Sequence, residues 1–118
     1  MGGIHIHGKA SEARGEMTSE QDILSLIRLA LSERGILNFR NNTGALKDKD
    51  GRLVRYGLCP GSSDIIGIMP DGRFLAIEVK KPGKKPTPEQ INFIEAIRRH
   101  GGVAGVVHSP EELEGLLG

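Results

Sequence analysis

An α/β fold, with a mixed central β-sheet flanked by α-helices, is the class the sequence predicts, and three observations predict it. Apolar residues recur at helical spacing in two well-separated segments. Short apolar runs bounded by glycine, proline and aspartate lie between and after them, as strands do. Helix-start signals, a hydroxyl residue followed three positions later by a glutamine or glutamate, recur where the period changes. The resulting order is helix, three or four strands, helix, strand, helix, which packs as layers around one sheet.

Residues 1–16 (MGGIHIHGKASEARGE) show no sustained period and read as an N-terminal arm or expression remnant, leaving 17–118 as the domain. His5 and His7 alternate with Ile4 and Ile6, but an H-x-H without nearby carboxylates or thiolates is a weak metal signal. Thr18 with Gln21 fits a capping box, and Ile23, Leu24, Ile27, Ala30 and Leu31 carry a helix to Gly35. Ile36 to Arg40 reads as a strand, Lys47 to Gly51 as a hairpin turn and Leu53 to Tyr56 as the return, around a polar Asn41-Asn42-Thr43-Gly44 stretch. After the loop Cys59 to Ser63 come an apolar strand from Asp64 to Met69, a turn at Pro70-Asp71-Gly72 and a second strand from Arg73 to Lys80. Thr87-Pro88-Glu89-Gln90 opens a second helix, whose Ile91, Phe93, Ile94 and Ile97 lead to Gly101. Val103 to His108 reads as a buried strand, and Ser109-Pro110-Glu111-Glu112 starts a last helix. The first helix is expected on one side of the sheet and the later two on the other.

Charge and composition narrow the function. With Lys+Arg 16 against Asp+Glu 15 the chain has no overall charge preference, so the placing of charge matters more than its sum. Lys80, Lys81, Lys84 and Lys85 crowd one stretch, and Arg98 and Arg99 end a helix. One Tyr, three Phe and no Trp make the core aliphatic and argue against a module that binds single strands mainly by stacking bases. A lone Cys59 excludes an intrachain disulfide framework and a zinc site of several thiolates. No apolar run approaches the roughly 20 residues of a membrane span, and no secretory signal is apparent, so a cytoplasmic protein is expected.

The chemistry lies in a carboxylate that begins one strand and a Glu-x-Lys that ends the strand hairpinned to it. In an antiparallel pair these ends meet, so Asp64 falls near Glu78. Strand alternation puts Glu78 and Lys80 on one side and Ile77 and Val79 on the other. Two adjacent carboxylates resist ionising together unless a cation lies between them, which points to a hard divalent ion, Mg2+ or Mn2+, with the Val79 carbonyl as a further oxygen ligand. Lys80 beside it would hold or deprotonate the attacking water, or neutralise charge at phosphorus. Glu20 stands at the tip of the buried stripe of the first helix. Lys81, Lys84 and Lys85 follow the strand as a basic cluster, where phosphate contact is expected over an idle solvated loop. Arg40, Asn41, Asn42 and Thr43, and the hydroxyls of Ser62 and Ser63, are further candidates for phosphate contact. Each residue also has a plainer reading: Asp64 as a turn residue, Glu78 and Lys80 as an exposed pair, Glu20 as a first-turn acid, Gln90 as a cap, the polar loop as solvated.

Gly61-Ser62-Ser63-Asp64 followed by Glu78-Val79-Lys80 resembles the PD-(D/E)xK nuclease superfamily, and more narrowly its VRR-NUC branch, over about residues 18–108. Ser63 stands where the motif's proline would be. The resemblance implies a restriction-endonuclease-like core, a first-helix glutamate (Glu20) as a further metal ligand, and a catalytic part for Gln90. It implies hydrolysis of DNA without a covalent enzyme intermediate, leaving 5′-phosphate and 3′-hydroxyl ends, and by analogy a preference for branched DNA such as four-way junctions. A chain this short offers little surface for a long duplex, so a homodimer with two active sites is expected. The alternative from another class is a non-catalytic module that keeps the fold and binds branched or duplex DNA through its basic loop.

Overall fold

A computed structural model describes residues 19–118. The 1–16 arm, His5, His7 and Thr18 lie outside the described residues. Helix α1 is Glu20–Glu33, capped by Ser19, whose hydroxyl accepts the Asp22 N–H at 3.1 Å; Glu20 and Asp22 add favourable charge in the first turn. The cap is therefore one residue later than expected, and Gln21 instead accepts a hydrogen bond from Arg40. Gly35, at φ 73°, ends the helix in a Schellman turn: Ile36 N–H donates to Leu31 O and Gly35 N–H to Ser32 O, both at 3.0 Å.

Strands β1 (Leu37–Arg40), β4 (Ile65–Ile68), β5 (Phe74–Val79) and β6 (Val103–Val107) form one sheet in the order β1-β4-β5-β6. The first two pairings are antiparallel and β5–β6 is parallel, so the sheet is mixed as expected. Helix α2 (Pro88–Arg99) is the crossover that a parallel pair requires. A 3-10 turn (Pro110–Glu112), which the Ser109 side chain does not cap, leads into the short helix α3 (Leu113–Leu117).

The two faces of the sheet have different covers. Ile23, Leu24, Ile27 and Leu31 of α1 pack with Leu75, Ile77, Val79, Val103, Val107 and Leu113. On the other face Ala76 and Ala104 pack under Ile94, Phe93 and Ile97 of α2. The last helix thus lies on the α1 side, not beside α2 as expected; Leu113 enters the first core and Arg34 pairs with Glu114, tying α3 to the end of α1.

A second difference concerns pairing. The turn at Lys47 to Gly51 is present, but Leu53–Tyr56 (β3) pairs with Gly44–Lys47 (β2), a segment that begins in the polar stretch after β1. Strand β1 pairs with β4 instead, Leu37 opposite Ile68 and Arg40 opposite Ile65. Residues β2 and β3 form a separate two-stranded ribbon in which all eight residues are exposed. Adjacent apolar runs in sequence suggested the wrong partner because the buried side of β1 is set by Asn38, which accepts from Arg28 on α1 at 2.9 Å, and not by an apolar residue.

Gly67 lets β1 approach β4: a Cβ there would lie 2.3 Å from the Leu37 carbonyl oxygen. Gly67→Ala should therefore destabilise the fold by about 1–3 kcal/mol, the usual cost of overpacking, read as a lower urea midpoint at unchanged slope.

Candidate active site

The β4–β5 register pairs Ile65 with Ile77, so one further step sets Asp64 opposite Glu78 on the same side of the sheet. The Asp64 carboxylate accepts the Val79 N–H at 2.9 Å, and its backbone carbonyl accepts the Asn41 N–H at 2.7 Å. Glu78 is 2% exposed, and Lys80 Nζ lies 3.7 Å from its Oε2. Ile77 and Val79 point into the α1 core, as alternation requires.

The electrostatics follow from this geometry. Burial and the neighbouring Asp64 carboxylate push the Glu78 carboxyl up to about 8, with Lys80 pulling the other way. Glu78 Oε1 is buried and has no hydrogen-bond partner; among the described residues it shares that condition only with Ser63 Oγ. An unpartnered carboxylate oxygen beside a second carboxylate is the donor set a divalent cation fits, since a cation would satisfy the oxygen and remove the repulsion. In an extended strand the N–H and C=O of one residue point the same way, so the Val79 carbonyl faces the Asp64 edge as its N–H does.

The other expected residues fall into two groups. Glu20 is close to the end of β5, where its carboxylate accepts the Lys81 N–H at 3.2 Å. No group of three or more His, Cys, Asp or Glu side chains gathers as a metal site among the described residues, so Glu20 does not join Asp64 and Glu78 in one cluster. Lys81 is half-buried, while Lys84 and Lys85 are exposed on the loop that follows. Arg40 and Asn42 are exposed and joined at 2.7 Å.

Gln90 takes the capping role its spacing from Thr87 predicts, and the two serines are placed by burial. Gln90 makes a reciprocal capping box with Thr87: its side-chain oxygen accepts the Thr87 N–H at 2.8 Å and its N–H donates to the Thr87 hydroxyl at 3.2 Å. Ser62 and Ser63 are buried, at 4% and 0% exposure. Ser62 Oγ accepts from Asn41 at 2.7 Å and donates to Cys59 O at 2.7 Å.

The residue whose part the sequence does not reveal is Asn41. Read there as one of several candidates for phosphate contact, it is buried and clamps the loop before Asp64. Its Nδ2 donates to Ser62 Oγ and to Ser63 O at 2.8 Å, and its Oδ1 accepts Leu58 N–H at 3.1 Å. Gly61, at φ 80°, lets that loop lie against α2, where a Cβ would be 2.7 Å from Glu89 O. Nothing local distinguishes Asn41 from Asn42, because the partners are some 20 residues away.

The raised Glu78 gives a pH dependence of definite sign. The folded state keeps a proton that the unfolded chain releases from its ordinary value of 4.5 upward, so stability falls as pH rises from 4.5 to about 8. In chelator, the thermal midpoint should drop across that window; Mn2+ or Mg2+ at pH 8 should restore it, and Glu78→Gln should flatten the drop.

A model of the VRR-NUC domain family matches residues 18–111 of the sequence. A solved structure described as a VRR_NUC domain superposes with a TM-score of 0.60 at 25% identity, covering 86% of this chain and 96% of that one. No curated protein matches the sequence. The described residues contain no helix long and apolar enough to cross a membrane. The restriction-endonuclease-like mixed sheet, the carboxylate pair at its hairpin and the family match over most of the chain agree: the chain belongs to the VRR-NUC family, a family of DNA-processing nuclease domains.

Proposed function

We propose that the protein is a metal-dependent DNA endonuclease that hydrolyses phosphodiester bonds in branched DNA such as four-way junctions and acts as a homodimer. The observation that carries this reading is the buried Glu78 carboxyl, with its unpartnered oxygen, beside the half-buried Asp64 carboxylate. Asp64, Glu78 and the Val79 carbonyl would hold Mg2+ or Mn2+, with Glu20 joining through the water shell. When bound, such an ion supplies a water of lowered pKa and neutralises charge on the phosphate.

The chain's own groups do the rest. Lys80 Nζ, held beside Glu78, orients the water and offsets charge as the water oxygen bonds to phosphorus and the water's proton passes to solvent. The P–O3′ bond breaks and the departing oxygen takes a proton from solvent, leaving a 3′-hydroxyl and a 5′-phosphate. Glu78 keeps Lys80 in place and excludes solvent from one side. The Gln90 side-chain amide, anchored through its oxygen, directs its NH2 group as a donor toward substrate at the start of α2. Lys81, Lys84 and Lys85, with Arg40 and Asn42 across the site, contact the phosphate backbone and fix the register of the DNA.

Two copies are supported by the face of the sheet that α2 leaves bare. Leu37, Phe39, Ile68 and Phe74 lie there at 37–55% exposure, with no charged residue among them, and monomers seldom leave such a continuous apolar face in water. A second copy on that face would place two active sites on one junction, one for each of two strands.

Labelled linear duplex, flap and four-way-junction DNA, incubated with Mg2+, Mn2+ or chelator, test the reading. The account expects junction cleavage that chelator abolishes, and a loss of roughly 100-fold or more in Glu78→Ala and Lys80→Ala with binding retained. Binding without cleavage in every metal would identify a non-catalytic DNA-binding module instead. Phe39→Glu should convert dimers to monomers in light scattering; a wild-type protein that is already monomeric at micromolar concentration contradicts the paired arrangement.

A further inference from the structure

The ribbon leaves and rejoins the sheet at a narrow neck. A Cβ at Gly57 would be 2.5 Å from Thr43 Cγ2 and 2.6 Å from Asn42 O, so the outgoing and returning chains touch there. Above the neck is a cleft of about 450 Å³ between the base of the ribbon and the Leu58 to Pro60 segment. That is within the range of small-molecule sites and large enough for one nucleotide.

Its walls have a definite chemistry. Tyr56, the only tyrosine, is 46% exposed, and its ring crosses the ribbon above Gly44, where a Cβ would be 2.5 Å from the hydroxyl and 2.7 Å from Cζ. Leu58 and Pro60 face it as apolar surface. Arg55 lines the same cleft, exposed and with no hydrogen bond or ion pair among the described residues, while no carboxylate lines it. A flat ring with apolar walls suits a base, and the guanidinium of Arg55, on the adjacent strand position, is long enough to reach round the ribbon edge to its phosphate.

The cleft is wired to the metal-binding end of the sheet. Its Leu58 N–H donates to Asn41 Oδ1 at 3.1 Å, and the Asn41 N–H donates to Asp64 O at 2.7 Å. The residue that anchors the cleft's Leu58 thus also anchors the main chain of Asp64.

We propose that this cleft receives one unstacked nucleotide of the DNA substrate, its base on Tyr56 and its phosphate at Arg55, and that this is how branched DNA is preferred over linear duplex. The physical reason is the cost of taking a base out of the helix, which is least where the base is already unpaired or unstacked, as at a branch point. Linear duplex meets the full cost and gains the same contacts. The inference rests on DNA being the substrate, and it deepens the proposed branch selectivity.

The test uses four-way junctions carrying 2-aminopurine at single positions around the branch, bound in chelator so that hydrolysis plays no part. Fluorescence should change at one position when the wild-type protein binds. The change should be lost in Tyr56→Ala and persist in Tyr56→Phe, and Arg55→Ala should weaken junction binding roughly tenfold while leaving linear-duplex binding unchanged. Junction binding with no fluorescent response at any position overturns the proposal, as does an unchanged response in Tyr56→Ala or an absence of junction binding. The wild-type response alone decides the matter should a variant fail to fold. A protein that gives the response yet cleaves in no metal refutes the nuclease reading and leaves this one standing.

Discussion

Two carboxylates brought face to face at the end of a buried hairpin set the terms for the rest of the molecule. Side by side in a site where Glu78 is 2% exposed, Asp64 and Glu78 cannot both carry charge without compensation, and Lys80 at 3.7 Å supplies only part of it. A fold selected for stability alone would place an apolar residue at position 78, since replacing a buried ion pair by apolar groups is often neutral or favourable. The surrounding elements hold the pair in spite of that tendency: the Val79 N–H takes one Asp64 oxygen, β6 closes the far side of β5, and α1 lays the Glu20 carboxylate on the Lys81 N–H. The repulsion is a structural cost that a bound cation would remove.

Rigidity on one side of this pair and openness on the other explain the layout. The hairpin β4–β5 lies in the middle of the sheet, with α1 and α3 over the face that carries Ile77 and Val79. Asn41 fixes the loop before Asp64 with its main chain and both ends of its side chain, so the position of that carboxylate depends on one buried amide. The ribbon is rooted at the same amide and has no buried residue, which makes it an arm attached to the site instead of a part of the core.

Much of this was legible in the sequence where the cause is local. The hairpin at Pro70 to Gly72, the alternation that sets Glu78 apart from Ile77 and Val79, the Thr87–Gln90 capping box and the stripe of α1 all follow from spacings within a few residues. What the sequence hid is nonlocal. The partner of β1 depends on Asn38 being buried through Arg28, ten residues back on another element. The side chosen by α3 depends on Leu113 finding the α1 core and on Arg34, 80 residues away, finding Glu114. At the site, Asp64 and Glu78 could be read from register, whereas the burial of Ser62 and Ser63 and the clamp by Asn41 depend on a loop folding back across the end of β1.

Whether Asp64 and Glu78 bind one divalent ion between them can be read from crystals soaked in Mn2+ by anomalous scattering. A manganese peak is expected within coordination distance of both carboxylates and of the Val79 carbonyl oxygen, absent from crystals of Asp64→Asn. A peak elsewhere with the pair left bare, or none at millimolar Mn2+, would contradict it.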